Sequence, residues 1–358
     1  MFLLAAAAAA LAGCAQNEGI DIPQTRGIGF DPYVGNTTRA AAKDTDLSAL
    51  KAEGAGFIVL GGYEDGQTYV PVFDGTNETG SHITWNKSSW EYSPINYWLE
   101  GKTYKFVAYA PAKLQEGDLF DIDYAGNKLK MKDGGTFTAD GETDLVVAEG
   151  KPQGYPVAAE PVQMETVGFK FYHALSKVKF TFINGWRNAV TLKITNIKLS
   201  NVKNTGSLTT SGTMAQGSDK IQLSAWSGQT GTADYEDKAD GMNTDEYEAS
   251  YEFENFLLPT VLDDSQMKLT FTVQVTNSQG TGPDLGAGAG NSVVKEVVIP
   301  KDVVTEWMPG YAYNYKLTIS GSTFGLKPIQ FDDIDVDSEW GNGGEDDMDE
   351  GIEVVPGA

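Results

Sequence analysis

The strongest constraint on the fold is a two-residue hydrophobic period. In Lys268-Leu-Thr-Phe-Thr-Val-Gln-Val275 every second side chain is apolar. A strand places alternate residues on opposite faces, so Leu269, Phe271, Val273 and Val275 share one buried face. The pattern recurs in 177–182, where Val178, Phe180 and Phe182 point inward and Lys177, Lys179 and Thr181 outward, and again in 190–194, 197–199 and 313–319. In 103–109 both faces carry apolar residues, as in a strand buried on both sides. Helical periodicity is scarce: 46–52 and 94–99 are read as single turns. The chain is predicted to be all-β, with antiparallel sandwich patterning that occurs twice.

Size and composition agree with two cores. The chain has 358 residues, more than one small core accommodates, and 41% hydrophobic residues suffice to fill two. The 41 glycines suit many short strands joined by tight turns. A boundary is placed where Lys151-Pro-Gln-Gly-Tyr-Pro156 and Pro161 interrupt the pattern. This gives an N-terminal sandwich at 40–164, a C-terminal sandwich at 165–340, and a flexible acidic tail at 341–358.

Charge and rare residues exclude several function classes. Fifty acids against 26 Lys plus Arg give a formal charge of −24, so a nucleic acid would be repelled. Eleven of the acids fall in 332–358, which holds no basic residue; the plain reading of this acidity is solubility. Cys14 is the sole cysteine, so no intrachain disulfide forms, and with only His82 and His173 no His- or Cys-based metal cluster can be built.

The first fourteen residues read as an export signal. Residues 3–12 are an unbroken Leu/Ala run, shorter than the roughly 20 residues that span a bilayer. No Lys or Arg precedes Arg26, which implies a start upstream or a trimmed chain. The run ends Leu11-Ala-Gly-Cys14, which resembles the lipobox of bacterial lipoproteins. Cys14 is therefore the expected lipidation site, a palmitate-type acyl anchor to the outer membrane. Each buried CH₂ of such chains contributes about 0.8 kcal/mol. Residues 15–21 are a polar tether that resembles surface-targeting signals of some lipoproteins.

A family resemblance appears in longer motifs. Trp90-Glu-Tyr-Ser-Pro94, Tyr97-Trp98, Gly101-Lys102 and Tyr104-Lys-Phe-Val-Ala-Tyr-Ala-Pro111 resemble the fimbrillin family. So do Phe171-Tyr-His-Ala-Leu-Ser-Lys-Val178, Trp307-Met-Pro-Gly-Tyr-Ala-Tyr313, and Ile329-Gln-Phe331 with Trp340. Their order, with the lipobox and Arg39, spans 27–340. The resemblance implies two β-sandwich domains in tandem, transthyretin-like with Greek-key topology, and a role as a type V pilus subunit at the cell surface. It further implies export as a lipoprotein, removal of an N-terminal segment by an Arg-specific protease, and filling of the vacated sheet by a neighbour's strand. On that pattern, 15–39 comprises a tether and a removable first strand, Gly27-Ile-Gly-Phe-Asp-Pro-Tyr-Val34, anchored by Ile28, Phe30 and Tyr33. Pro32 suits an edge strand. Cleavage is expected after Arg39; a cut at Arg26 would leave the strand in place. Ile352 and Val354 alternate around Glu353, so the tail is either a short donor strand or a frayed acidic end.

No catalytic constellation is read, and no cofactor. His173 lies in an apolar run that suits a structural histidine, and there is no Gly-x-Ser-x-Gly elbow. Gly286-Ala-Gly-Ala-Gly290 lacks the Lys-Ser/Thr ending of a phosphate loop and reads as a hairpin loop. Asp333-Ile-Asp-Val-Asp337 lacks the Gly and closing Glu of a calcium loop and reads as an acidic edge. Trp85, Trp90, Tyr92, Tyr97 and Trp98 suit a packed core better than a glycan platform. The expected partners are other fimbrial subunits, the outer membrane, and a host protein or glycan. The competing reading is a lipid-anchored surface binding protein, adhesin, anchor or tip that does not polymerise.

Overall fold

The computed structural model describes residues 27–34, 45–73, 80–158, 162–186, 190–216, 221–262, 267–277, 292–320, 331, 333–337 and 352–353. They form an all-β structure. Of the two stretches read as helical turns, one forms: Leu47–Leu50 is a single turn whose N-cap, Asp46, accepts a hydrogen bond from the Ala49 N–H at 2.7 Å. Residues 94–99 form no helical turn, and Tyr97 bridges to Gly27.

The first sheet is built on β1 (Phe30–Val34), β2 (Phe57–Asp65), β3 (Thr103–Ala110), β4 (Val146–Glu149) and β5 (Val167–His173). Its order is β1-β5-β4-β3-β2, continued by Ser81–Trp85 and Trp90–Glu91. The Pro- and Gly-containing stretch 151–161 thus carries the chain from β4 to β5 within one sheet, although the expected boundary lies at 164/165. Both faces are covered. One carries Phe57, Val59, Phe106, Ala108, Ala148 and Phe169 against Leu50, Phe73, Trp98 and Tyr155. The other carries Ile58, Leu60, Val107, Tyr109 and Val147 against the hairpin Phe120–Asp123/Lys128–Met131 and the strands Thr205–Leu208 and Trp226–Thr230. Double coverage explains the near-continuous apolar run of 103–110.

Most of the remaining strands belong to two five-stranded sheets that share one core. β6 (Ser176–Asn184), β7 (Val190–Val202), β8 (Ser250–Leu257), β9 (Lys268–Asn277), β10 (Ser292–Val298), β11 (Ala312–Ile319), β12 (Asp333–Asp337) and β13 (Ile352–Glu353) are the main elements. One sheet has the order β8-β6-β11-β12-β13, with β6 and β11 parallel; in the other, β7, β9 and β10 are consecutive. Val178, Phe180 and Phe182 of β6 share a core with Leu192 and Ile194 of β7 and Leu269, Phe271 and Val273 of β9. The outward residues of β6 are not left to solvent: Lys177 meets Glu254 at 3.3 Å, and the Thr181 hydroxyl donates to Asn314 Oδ1 at 2.6 Å. The separate runs 190–194 and 197–199 are one strand, interrupted by an irregularity between Thr195 and Lys198 where Asn196 takes φ +52°.

Candidate functional site

The segment singled out from the sequence, 27–34, lies at an edge of the first sheet. β1 runs parallel to β5 in a five-residue register from Phe30↔Val167 to Val34↔Phe171. It ends the strand order, so among the described residues only one side of its ladder is paired. Pro32, with no N–H to donate, is tolerated there.

What holds β1 is an aromatic socket. Phe30 is 4% exposed, and its ring lies 5.1 Å from Phe73 and 5.7 Å from each of Tyr92, Phe106 and Phe169. Ile28 is 2% exposed. Full burial of two such side chains contributes about 3–6 kcal/mol together. Pro32 is buried on the same strand, making the third enclosed position; the side chain of Tyr33 lies outside the described residues. Hydrogen bonds to its main chain close the site from both sides. The Val167 N–H donates to Gly29 O at 2.8 Å, the Ile28 N–H to Asn96 O at 2.9 Å, and the Tyr92 hydroxyl to Ile28 O at 2.7 Å.

The wall opposite β5 is therefore the segment 92–98, itself fixed from below. The Tyr104 hydroxyl donates to Tyr97 O and accepts the Leu99 N–H, both at 3.1 Å. Trp98, 1% exposed, packs edge-on against Tyr104 at 4.8 Å. Burial pushes the Tyr92 and Tyr104 phenols up from 10.0 to about 12, so both remain protonated donors at neutral pH. The raised value fixes the sign of a pH effect. Stability held by these protons is complete below pH 10 and lost as pH rises through about 12. Thermal melts between these limits should fall less steeply in Tyr92→Phe than in the wild type. At neutral pH the same substitution should cost about 1 kcal/mol for the lost bond to Ile28. An unchanged alkaline slope would show that Tyr92 does not guard the strand.

Of the other residues singled out, Cys14, Arg26, Arg39 and Val354 lie outside the described residues, as does the glycine-rich loop 286–290. Ile352 pairs through its main chain with Ile334, so β13 lengthens its own chain's sheet; its side chain is not described. Asp333–Asp337, weighed as a calcium loop, is a paired strand, with Asp335 bound to Lys316 at 2.6 Å. No cluster of metal-ligating groups occurs among the described residues.

Both histidines have structural partners. His82 Nε2 lies 2.6 Å from Ala55 O. His173 Nδ1 is 3.0 Å from Asp144, whose Oδ2 also accepts the Thr45 N–H at 2.7 Å; the Thr45 hydroxyl donates to Asp144 O at 2.9 Å. An acid–histidine pair supplies two of the three members of a hydrolytic triad. Here the two side chains are only 0% and 3% exposed, which denies a substrate access. Sequence reasoning singled out Ile28 and Phe30, which are buried here, and missed Asn96, Tyr92 as a strand clamp, and this Thr45–Asp144–His173 network. The signal for the clamp was the aromatic density of 90–98, which reads equally well as ordinary core.

Comparison with known proteins adds the following. A family model described as fimbrillin-like matches residues 38–331. No curated protein matches the chain. Among solved structures, a candidate cell adhesion protein from Bacteroides uniformis is similar at 16% identity and TM-score 0.44, covering 88% of this chain and 99% of that one. One from Bacteroides ovatus gives 15% identity and TM-score 0.43, covering 86% and 95%. The fimbrial anchor protein Mfa2 from Porphyromonas gingivalis gives 11% and 0.36, covering 92% and 99%.

Proposed function

The chain belongs to the fimbrillin-like family, and on that footing we propose that it is a structural subunit of cell-surface fimbriae, assembled by strand exchange at the β1 edge. In this reading the precursor is exported as a lipoprotein through Cys14 and held at the outer membrane. An Arg-specific protease cuts after Arg39, β1 departs, and a neighbour's strand takes its place. The division into two tandem sandwiches at about 164/165 belongs to the same proposal. The separate core around Phe180 and Phe271 supports it; the placement of β5 in the first sheet weighs against that boundary.

The observation that carries the reading is the aromatic socket around Phe30. While β1 fills it, the β5 ladder is paired and a second strand gains nothing. Once β1 is gone, β5 presents unpaired N–H and C=O groups beside an open apolar trough. That combination captures an extended strand through main-chain bonds and alternate side-chain anchors. The replacement must run parallel to β5 and carry a large apolar residue at the Phe30 position, with a second two residues before it.

Limited digestion with an Arg-specific protease should release the N-terminal segment and yield ladders resistant to mild detergent, and Arg39→Ala should block both. Digested protein that remains monomeric at high concentration would refute polymerisation. One observation favours a second reading, that of a non-polymerising anchor, tip or adhesin for a host protein or glycan. The candidate donor at Ile352–Glu353 is already paired in its own chain's sheet. Ladders that persist after truncation at Trp340 would place the donor elsewhere.

A further inference from the structure

β5 is divided between two partners. Its first five residues, 167–171, pair with β1, while its last two, Tyr172 and His173, pair with Val147 and Val146 of β4. Beyond Val147 no ladder joins β4 to β5, while β4 stays paired with β3 on its other edge. The Gly150 N–H donates to Phe106 O on β3 at 2.8 Å, and Gly150 O accepts from Asn127 Nδ2 at 2.8 Å. A Cβ on Gly150 would come within 3.1 Å of Val167 and Phe169, so side chains rather than main-chain bonds fill the space between β4 and this half of β5. Among the described residues, the only ladder that holds 167–171 is the one to β1.

The paired half ends at the buried polar network already described. Asp144 joins His173, at the end of β5, to Thr45, the first described residue after β1; Ala174 N–H then donates to Leu145 O at 2.8 Å. The titratable and charged groups near this network include Lys113, whose ammonium meets Thr143 Oγ1 at 2.9 Å, and Asp140, which also binds Thr143. The network thus ties three separate parts of the chain at the point where β5 changes partner.

We infer that β1 and residues 167–171 open as one unit, and that the Thr45–Asp144–His173 network is the stop that confines the opening. The inference deepens the strand-exchange reading and rests on it for its purpose: the acceptor site is not a rigid slot but a second strand that loses its order with β1 and regains it when a donor arrives. The physical ground is the cost of an unpaired ladder. A strand with neither edge bonded keeps its side-chain contacts, but it has lost both Phe30 and every main-chain partner that β1 supplied.

Hydrogen exchange on the intact, uncut chain tests this without reference to assembly, so a failure of polymerisation and a failure of this inference are separate results. Phe30→Ala should speed exchange in 27–34 and 167–171 by the same factor, about a hundredfold or more. Residues 146–149 and 172–175 should stay better protected than these two segments, losing no more than the global stability loses. Phe30→Leu, a milder change, should move the same two segments together by a smaller factor. Asp144→Asn, which removes the charge and keeps the shape, should add 172–175 to the opening unit. Acceleration of 27–34 with 167–171 still protected would overturn the coupling. Protection of 146–149 no higher than that of 167–171, or unchanged protection of 172–175 in Asp144→Asn, would overturn the stop.

Discussion

Phe30→Ala is expected to lower the stability of the uncut chain by about 3–5 kcal/mol, the range for emptying an aromatic site in a close-packed core. Phe30 is 4% exposed and has four aromatic rings within 5.7 Å, so the space it leaves has rigid walls that cannot collapse cheaply. Of those rings, Phe73 also contacts both Tyr92 and Phe106, which limits relaxation further. The loss has a ceiling. Because β1 is an edge strand, it can detach before the sheet unfolds, and global stability then falls by no more than the free energy of detaching it. Urea melts of the variant should show this loss, and Asp31→Ala, an exposed position on the same strand, should stay within about 0.5 kcal/mol of the wild type. Equal, small effects at both positions would mean that the aromatic socket does not hold the strand.

The second large effect is expected at Asp144. Its side chain is fully enclosed and accepts hydrogen bonds from the Thr45 N–H and from His173 Nδ1. Asp144→Ala leaves both donors buried without an acceptor and should cost about 3 kcal/mol; Asp144→Asn retains one acceptor oxygen and should cost less. The order of the two variants matters more than either value. If Ala were the better tolerated, the site would be acting through packing, and the role of the network as a stop for β5 would fall. Chemical denaturation of both variants, followed by tryptophan fluorescence, reads the order directly.

The sequence displayed some of this architecture openly and hid the rest. Alternation in 177–182, 268–275 and 313–319 revealed strands because each has one face in a core and the other toward partners that tolerate polar residues. Ile28 and Phe30 were legible for the same reason: two large side chains spaced by one residue, beside a proline that marks an edge. The break at 151–161 is legible as a break and no more, because Pro and Gly mark a turn and carry no record of which sheet the next strand joins; here that strand, β5, lies in the first sheet. Parallel pairing of β1 with β5 links positions more than a hundred residues apart, and nothing local announces it. Asp144 was invisible among fifty acids. A buried acid and an exposed one have the same letter, and only the shared proximity of Thr45 and His173 separates them.

The direct test of the central claim is N-terminal sequencing of the protein recovered from the surface of cells that make it, in its assembled form. Cleavage after Arg39 and loss of β1 require a sequence that begins Ala40-Ala-Ala-Lys43, with residues 27–34 missing from the assembly. A chain that still begins at a blocked Cys14, with β1 retained in the same polymer, would contradict strand exchange at this edge.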